Sequence, residues 1–598
     1  MEEILAKPSP NLLRNQLDFK RVPFSDRGSR LLVFINPDEH NIYIRLAERL
    51  ISLEADIEAY LRRPPFIHEL CFLDENGEIL NYEATSYPHV IYFKTGDGDF
   101  GLCFKDNHTI ALGLPPSKTV CLRFHVSPQF WKVNETGGEF KSIRNLFYDA
   151  NAEIIENKII PERGGYTVWL KVVSGEDSAI TIFVGGSSPA GGERLPFSTI
   201  YESAEQRWKD WFDRVPGVAN RYLRTFTYAW WVMANNLIQP LGSVVYEAMM
   251  PSKVNYIGLW LWDSAMHALA FRHVDPELAR NQIRAMLAFQ LPDGMLPDAV
   301  YDEGVVSKIE HPIIAEVTKP PILAWAALKL HESAPDLGFL EEIYIPLVRW
   351  NAWWFSMNDD DVDGLAQYNH PYSSGLDDNP LWDYGMPVES PDLNTYLCVQ
   401  MGSLAMIAEA LGMDAEADMW RRRSQAIVRR MLADFWDDES GVFWAVHNHK
   451  KIPVLTPFNL YPLWTGQLPK NINQRLIQHL TDNDEFWGEI PIPSVARNDP
   501  HYEPGTMWRG PVWVNINYFF IEALRQVGEN ELADELTEKT LNLVMFNNGI
   551  HEYYDADTGS PSPKAVEAFG WTAAVFIDLA ISQSRMLEPP DGFKPEDD

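Results

Sequence analysis

The pattern of apolar and polar residues divides the chain into two parts. Up to about residue 195, short apolar runs with a period of two alternate with turns. Val90 to Phe93, the turn Thr-Gly-Asp-Gly-Asp and Phe100 to Phe104 read as a hairpin. The runs Val120 to Val126, Val168 to Val173 and Ile180 to Val184 continue the alternation. The pattern predicts an antiparallel β-rich domain over residues 1–195, packed as a β-sandwich.

The periodicity changes after the run Gly-Gly-Ser-Ser-Pro-Ala-Gly-Gly at residues 185–192. We interpret residues 196–215 as a linker helix, centred on Glu202 to Arg214, and residues 216–598 as a mainly α-helical domain. A helix is predicted where Leu393, Leu397, Met401, Leu404, Ala408 and Leu411 precede Gly412. About eleven amphipathic segments follow one another up to residue 585, which is typical of paired helices around a central axis.

Composition narrows the class of function. The chain has 84 acidic and 50 basic residues, a net charge of -34, which disfavours nucleic acids and anionic membranes as partners. No run of about 18 apolar residues and no N-terminal basic region before an apolar core are present, so we expect neither membrane insertion nor secretion. The four cysteines lack metal-ligand spacing and favour a reducing, cytoplasmic setting.

These features favour an enzyme that acts on a neutral small molecule. The 21 tryptophans and 23 tyrosines offer flat surfaces for sugar rings, or alternatively fill a large core. The sequence leaves the oligomeric state open.

Two adjacent acids, Asp377 and Asp378, lie in a loop bounded by proline and glycine after a tryptophan-rich segment. Adjacent side chains on a bent loop diverge, so we predict that one faces a cleft while the other holds the loop. We interpret Asp377 as a catalytic acid; the alternative is an acidic surface turn.

A second candidate acid is Glu552, which stands between His551 and two tyrosines in a loop after a predicted helix. Hydrolysis of an acetal with inversion needs one protonated acid and one carboxylate that activates water. Two acids on distant loops satisfy that requirement. The alternative for Glu552 is a surface glutamate packed by tyrosines.

Aromatic residues and an acid precede the first of these loops. We predict that a helix begins at Asp263 or Ser264, either of which can cap it. Trp260 and Trp262 cannot both lie on one helical face, so at least one is expected to form a wall for a sugar. Asp263 is therefore either a cap or a ligand. Arg509 is a candidate for binding a sugar hydroxyl or for orienting a carboxylate.

Three alternating acids, Asp359, Asp361 and Asp363, stand before Gly364 and resemble the start of a calcium loop. The glutamate expected later in such a loop is absent, which favours a solvated turn. Calcium binding is kept as a hypothesis, and no organic cofactor is expected.

The C-terminal part resembles glycoside hydrolase family 63, the inverting α-glycosidases, over residues 216 to 585. The resemblance rests on the order of six motifs: Leu-Trp-Leu-Trp-Asp-Ser at 259–264, Pro-Asp-Gly-Met-Leu-Pro at 292–297, Pro-Pro-Ile-Leu-Ala-Trp-Ala at 320–326, Ser-Gly-Leu-Asp-Asp at 374–378, Trp-Arg-Gly-Pro-Val-Trp at 508–513 and Phe-Gly-Trp-Thr-Ala-Ala at 569–574. It implies an (α/α)6 barrel after a β-rich domain, with the general acid at Asp377 and the general base at Glu552.

The same resemblance implies that Tyr256, Trp260, Trp262 and Asp263 line the subsite for the non-reducing sugar and that Trp508 and Arg509 border it. Four positions depart from the family pattern: Lys319 replaces a common glutamine, Met507 a tyrosine, Tyr372 a tryptophan and Ser373 a glutamate. We count Lys319 and Tyr372 among the candidate substrate-binding residues. Lys319 prompts the hypothesis that the substrate carries a carboxylate; the alternative, which we favour, is that Lys319 pairs with a nearby acid.

The sequence therefore predicts an exo-acting, inverting α-glycosidase, and an α-glucosidase of short oligosaccharides or small glucosides above all. A glucosyl- or mannosylglycerate hydrolase and a trehalase-like enzyme are alternatives. A glycoside phosphorylase and a sugar-binding protein without catalysis are competitors of other classes.

Overall fold

The computed structural model describes residues 5–48, 65–142, 144–162, 164–186 and 194–586. Its N-terminal part contains two antiparallel sheets, as the alternating pattern predicted. One sheet has six strands, in spatial order Glu153–Glu162, Gly165–Val173, Thr119–Val126, Ile67–Leu73, Asn41–Leu46 and Leu31–Asn36. The other has eight strands, in spatial order Phe130–Val133, Gly137–Lys141, Asn145–Ala150, Ala179–Gly185, Thr109–Gly113, Gly98–Asp106, Val90–Thr95 and Tyr82–Ser86.

The core of this part lies between the two sheets, where the alternating apolar residues meet. Phe72 of the first sheet stacks on Phe100 of the second, with ring centroids 4.1 Å apart. Val168, Leu170 and Val172 alternate as buried residues along one strand. The predicted hairpin is confirmed, because Val90–Thr95 pairs with Gly98–Asp106 across a tight turn.

A helix, Phe197–Asp213, connects the sheets to the helical part. It begins at Phe197 rather than at Glu202, because the Phe197 ring packs where a Cβ at Gly101 or Gly113 of the sheet would lie. At its other end, Trp211 donates a hydrogen bond from Nε1 to the Trp230 carbonyl oxygen. The glycine-rich run follows the strand that ends at Gly185, and most of it, residues 187–193, lies outside the described residues.

Eleven α-helices occupy the described residues from 223 to 586: Leu223–Asn235, Leu261–Phe271, Pro276–Leu287, Leu323–Ser333, Leu337–Met357, Pro391–Ala410, Asp414–Asp434, Lys470–Leu480, Val514–Gln526, Asn530–Phe546 and Gly570–Met586. The predicted helix before Gly412 is confirmed as Pro391–Ala410. No helix in these ranges is long and apolar enough to cross a membrane.

Six helical segments contact one another in a closed order: Leu261–Phe271, Leu323–Ser333, Pro391–Ala410, Pro457–Thr465, Val514–Gln526 and Gly570–Met586. Each of the six also packs against a helix outside this order. The member Pro457–Thr465 is a 3₁₀ helix with all residues buried. Pro462, inside the segment, has no N–H and so interrupts the hydrogen bonding there, whereas Pro457 stands at the first position, where no donor is needed. The loops at the ends of these segments carry the candidate site.

Candidate active site

Asp377 lies in a short loop that begins with the 3₁₀ helix Pro371–Ser374. His370 caps this helix, since its Nδ1 accepts a hydrogen bond from the Tyr372 amide at 3.0 Å. Gly375 ends the helix at a φ of 75°, and a Cβ there would lie 2.4 Å from the Trp262 ring. Glycine is therefore needed both for the left-handed turn and for the close approach of Trp262.

The two adjacent acids diverge. Asp378 accepts a hydrogen bond at Oδ1 from the Trp508 amide, at 2.8 Å, and so holds the loop. Oδ1 of Asp377 is buried and has no hydrogen-bond partner among the described residues. Burial raises the pKa of Asp377 to about 7, against the opposing charge of Lys319. Asp377 is thus a carboxyl group that keeps a proton near neutral pH.

Glu552 lies in the loop that precedes the helix Gly570–Met586, and only 3% of its surface is exposed. Both of its oxygens are hydrogen-bonded: Oε1 accepts from the Tyr256 hydroxyl at 2.5 Å, and Oε2 accepts from the Val566 amide at 3.2 Å. Burial raises the pKa of Glu552 to about 7; these two bonds oppose the rise and the charge of Asp377 adds to it. The two carboxyl groups are therefore close enough to influence each other's ionisation.

Aromatic rings surround the two acids. Trp262 contacts Trp571 and Trp508, at centroid distances of 5.2 and 6.1 Å. Trp508 stacks on Trp513 at 3.7 Å, and Trp513 on Tyr553 at 4.6 Å. Trp513, Tyr553 and Trp571 were not among the predicted site residues, although Trp513 and Trp571 lie within the quoted motifs.

Trp260 is half-buried and lies apart from that stack. Its ring contacts Tyr256 at 5.4 Å and Tyr301 at 5.7 Å, both edge to face. The structure thus places Trp260 and Trp262 in different parts of one aromatic lining. Both remain candidates for contact with a sugar.

The prediction that Asp263 or Ser264 caps a helix was wrong. The helix begins at Leu261, because Leu259–Trp260 is a short strand paired with Ala299–Val300 and the chain turns directly out of it. Asp263 lies in the first turn, and no side chain caps the helix. Asp263 is buried, and burial raises its pKa well above the ordinary value while the charge of Lys319 lowers it.

Lys319 pairs with an acid, as the favoured alternative predicted. Its Nζ lies 2.7 Å from Oδ1 of Asp298 and donates a hydrogen bond to the Tyr372 carbonyl oxygen at 2.5 Å. The Tyr372 ring is half-buried and packs edge to face on His370. Asp298, which directly follows the quoted motif at 292–297, was missed. The pairing itself was predicted, but the identity of the partner was not, because the contact joins two separate segments of the chain.

Arg509 is engaged with carboxylates, one of its two predicted roles. It forms ion pairs with Asp383 at 2.7 Å and Glu503 at 3.2 Å. Its Nη1 also donates a hydrogen bond to the Asp378 carbonyl oxygen, at 3.1 Å. Arg509 therefore ties the loop of Asp377 to its neighbours from the outer side.

The three acids of the calcium hypothesis come together. One oxygen from each of Asp359, Asp361 and Asp363 lies within 4.8 Å of the others. Glu389, from the strand Val388–Glu389, adds a fourth acid: burial and the charges of these aspartates raise its pKa to about 7. Glu389 could not be found from the spacing of the loop, because it reaches the aspartates through strand pairing with Gln367 rather than from the loop itself.

Comparisons with known proteins bear on this site. A family model described as the mannosylglycerate hydrolase MGH1-like glycoside hydrolase domain matches residues 256–572. A mannosylglycerate hydrolase of Thermus thermophilus is 28% identical over 403 residues, which cover 55% of this chain and 95% of the relative.

Two solved structures are also similar. A crystal structure of a family GH63 mannosylglycerate hydrolase from Thermus thermophilus in complex with glucose matches with a TM-score of 0.51 and 26% identity, covering 59% of this chain and 99% of that one. A bacterial glucoamylase complexed with acarbose matches with a TM-score of 0.59, covering 98% of this chain and 95% of that one. At 10% identity, the glucoamylase shows a shared fold alone.

Proposed function

Because the chain belongs to the mannosylglycerate hydrolase MGH1-like domain family, and is thus a glycoside hydrolase of family 63, we propose that it cleaves short α-glycosides with inversion of the anomeric centre. Asp377 is the general acid and Glu552 the general base. One observation carries this assignment: the buried Oδ1 of Asp377 has no hydrogen-bond partner among the described residues, whereas both oxygens of the buried Glu552 are hydrogen-bonded.

The reaction needs one proton on the two carboxyl groups, carried by Asp377, while Glu552 is ionised. As the glycosidic C–O bond breaks, Asp377 gives its proton to the leaving oxygen. A water molecule bonds to the anomeric carbon from the opposite face and gives a proton to Glu552. The products are an alcohol and a free sugar of inverted configuration; Glu552 then releases its proton and Asp377 takes one up. Hydrogen bonds from Tyr256 and Val566 favour the ionised form of Glu552, which suits a base.

The proposal extends to the sugar subsite and to the architecture. Its lining comprises Tyr256, Trp260, Trp262 and Asp263, bordered by Lys319, Tyr372, Trp508 and Arg509. The closed order of helix contacts supports an (α/α)6 barrel. We also propose the division into a β-rich domain to residue 195, a linker helix and a catalytic domain from residue 216.

The substrate we favour is an α-glucoside with a short aglycone. A glucosyl- or mannosylglycerate is the second candidate, supported by the name of the Thermus relative. The ion pair of Lys319 with Asp298 does not favour a glycerate substrate, since the substrate carboxylate would compete with Asp298 for Lys319.

The test is incubation with α-linked glucosyl and mannosyl disaccharides, trehalose and both glycerate glycosides, following the released anomer by NMR. Prompt release of the β-anomer is expected. Release of the α-anomer would contradict inversion, and turnover that requires phosphate would establish a phosphorylase. Binding without release of sugar from any compound would contradict catalysis on this substrate class.

A further inference from the structure

The buried ion pair between Asp298 and Lys319 lies beside the loop of Asp377. The side chains are 7% and 6% exposed, and Nζ of Lys319 lies 2.7 Å from Oδ1 of Asp298. A buried pair of this kind is retained only when further hydrogen bonds satisfy its charges. Lys319 supplies one such bond, to the carbonyl oxygen of Tyr372.

This bond anchors one end of the acid loop. The neighbouring Thr318 amide also donates to the Ser373 hydroxyl, at 3.3 Å, so residues 318–319 hold residues 372–373. At the other end, Asn379 donates a hydrogen bond from Nδ2 to the Trp508 carbonyl oxygen at 2.9 Å. Asp377 stands between the two anchors, and Oδ1 of its carboxyl group makes no hydrogen bond to any described residue. The position of that carboxyl group depends on the loop rather than on direct bonds to Oδ1.

We propose that Asp298 and Lys319 form a positioning pair for Asp377: Lys319 fixes the loop through Tyr372, and Asp298 fixes Lys319. This inference rests on the proposed role of Asp377 as general acid. Asp298 directly precedes the strand Ala299–Tyr301, which pairs with Leu259–Trp260. The pair therefore also connects the acid loop to the segment that carries Trp260 and Asp263.

The pair has an electrostatic effect that follows from the same geometry. Lys319 lowers the pKa of Asp377 and Asp298 raises it, both against a background of burial. Ionisable groups that interact with Asp377 in the described residues are Lys319, Asp298, Asp378, Glu552, Tyr256 and Tyr372. Of these groups, Lys319 is the one cation. Removal of Lys319 should therefore raise the pKa of Asp377, and removal of Asp298 should lower it.

The experiment compares Lys319→Met, Asp298→Asn and the double variant with wild type. The double variant removes both charges of the ion pair, so neither member is left buried without the other, and it is expected to fold even if a single variant does not. Lys329→Met is the matched control, because Lys329 and Glu522 form an ion pair of the same 2.7 Å length elsewhere in the helical part. Hydrogen exchange of residues 371–379 is measured first, since it needs no substrate.

Faster exchange of residues 371–379 is expected in Lys319→Met and in the double variant, and not in Lys329→Met. In the same two variants, we expect kcat on a glycoside that wild type cleaves to be about 10²-fold lower, with KM changed less than about 3-fold. The basic limb of the pH profile, set by the acid, should move to lower pH in Asp298→Asn and to higher pH in Lys319→Met.

Unchanged exchange in the double variant would overturn the positioning role, whatever the substrate. If the basic limbs of Asp298→Asn and Lys319→Met do not move in opposite directions, the proposed electrostatic effect of the pair on Asp377 is overturned. If exchange rises but wild type cleaves no glycoside, the positioning of the loop stands and the proposed function fails.

Discussion

Two acid-rich loops lie close together in the chain and differ in what surrounds their carboxyl groups. In the loop of Asp359 to Gly364, Asp359 accepts hydrogen bonds from the amides of Asp363 and Gly364, both at 3.1 Å, and Asp361 is exposed. In the loop of Asp377, Oδ1 of the acid is buried and has no hydrogen-bond partner in the part of the chain that the structure describes. In sequence, both are acidic turns with a glycine. Burial and the lack of a partner, rather than the density of acids, mark the candidate catalytic loop.

The largest expected difference between the loops is in catalysis. Asp377→Asn and Glu552→Gln should each lower kcat about 10²- to 10⁴-fold, because each removes one proton transfer. Asp360→Asn, in the other loop, is the control and should change kcat less than about 2-fold, since Asp360 is exposed and bonds only Gln367. Steady-state rates and circular dichroism of all three check this.

Glycosyl fluorides of the cleaved sugar sharpen that result, because fluoride leaves without a proton. Asp377→Asn should recover at least about 10-fold of its loss on the α-fluoride, while Glu552→Gln recovers none. Recovery in Glu552→Gln but not in Asp377→Asn would reverse the assignment of acid and base, and equal recovery in both variants would contradict it.

A smaller effect is expected from Tyr256→Phe. Its hydroxyl lowers the pKa of Glu552, so its loss raises that pKa. The base must be ionised, and the acidic limb of kcat/KM should therefore move to higher pH, with a loss of about 10-fold below the new limb. An unmoved acidic limb would show that Tyr256 acts by packing alone.

The pH dependence of stability should also distinguish the loops of Asp377 and Glu552 from the loop of Asp359 to Gly364. The folded state raises the pKa of both Asp377 and Glu552 from about 4 to about 7, so it binds protons that the unfolded chain releases. The stability contributed by these protonated groups is full below about pH 4 and is lost as the pH rises to about 7. Asp377→Asn and Glu552→Gln should therefore raise Tm by about 1 to 2 °C at pH 8 and leave it unchanged at pH 4. Thermal scans of both variants and of Asp360→Asn at the two pH values check this.

The smallest effect is expected in the loop of Asp359 to Gly364. If it binds calcium with the help of Glu389, millimolar calcium should raise Tm by about 1 °C and a chelator should reverse the change. The response should vanish in Asp361→Asn. Identical melting with calcium and with chelator would leave this loop as a solvated turn.

Local patterns predicted the elements of the fold well, since alternation and helical spacing are properties of adjacent residues. The hairpin at Val90–Thr95 and the helix before Gly412 followed directly. Boundaries failed where distant contacts intervened. The helix at Leu261 begins early because of a strand pair with residues 299–300, and the linker helix begins early because Phe197 packs on the sheet.

The candidate site shows the same limit. Asp377 and Glu552 were both predicted as candidates from the sequence, and the structure buries Glu552 beside Tyr256 and buries Oδ1 of Asp377. Asp298 and Glu389 escaped because each meets its partners through a contact between distant segments. The spacing of residues along the chain does not predict such a contact. A lysine in an apolar run, such as Lys319, does indicate that an acidic partner exists, without identifying it.

The stack of Trp508 on Trp513 gives the protein an optical reporter of its own. The rings are 3.7 Å apart and tilted by only 3°, a separation at which the excited states of two indoles couple. The Trp508 amide also holds Asp378, so a displaced acid loop changes the coupling. A near-ultraviolet circular dichroism difference between wild type and Trp508→Phe would isolate this band. The band then reports the state of the loop in a cuvette before any substrate is known.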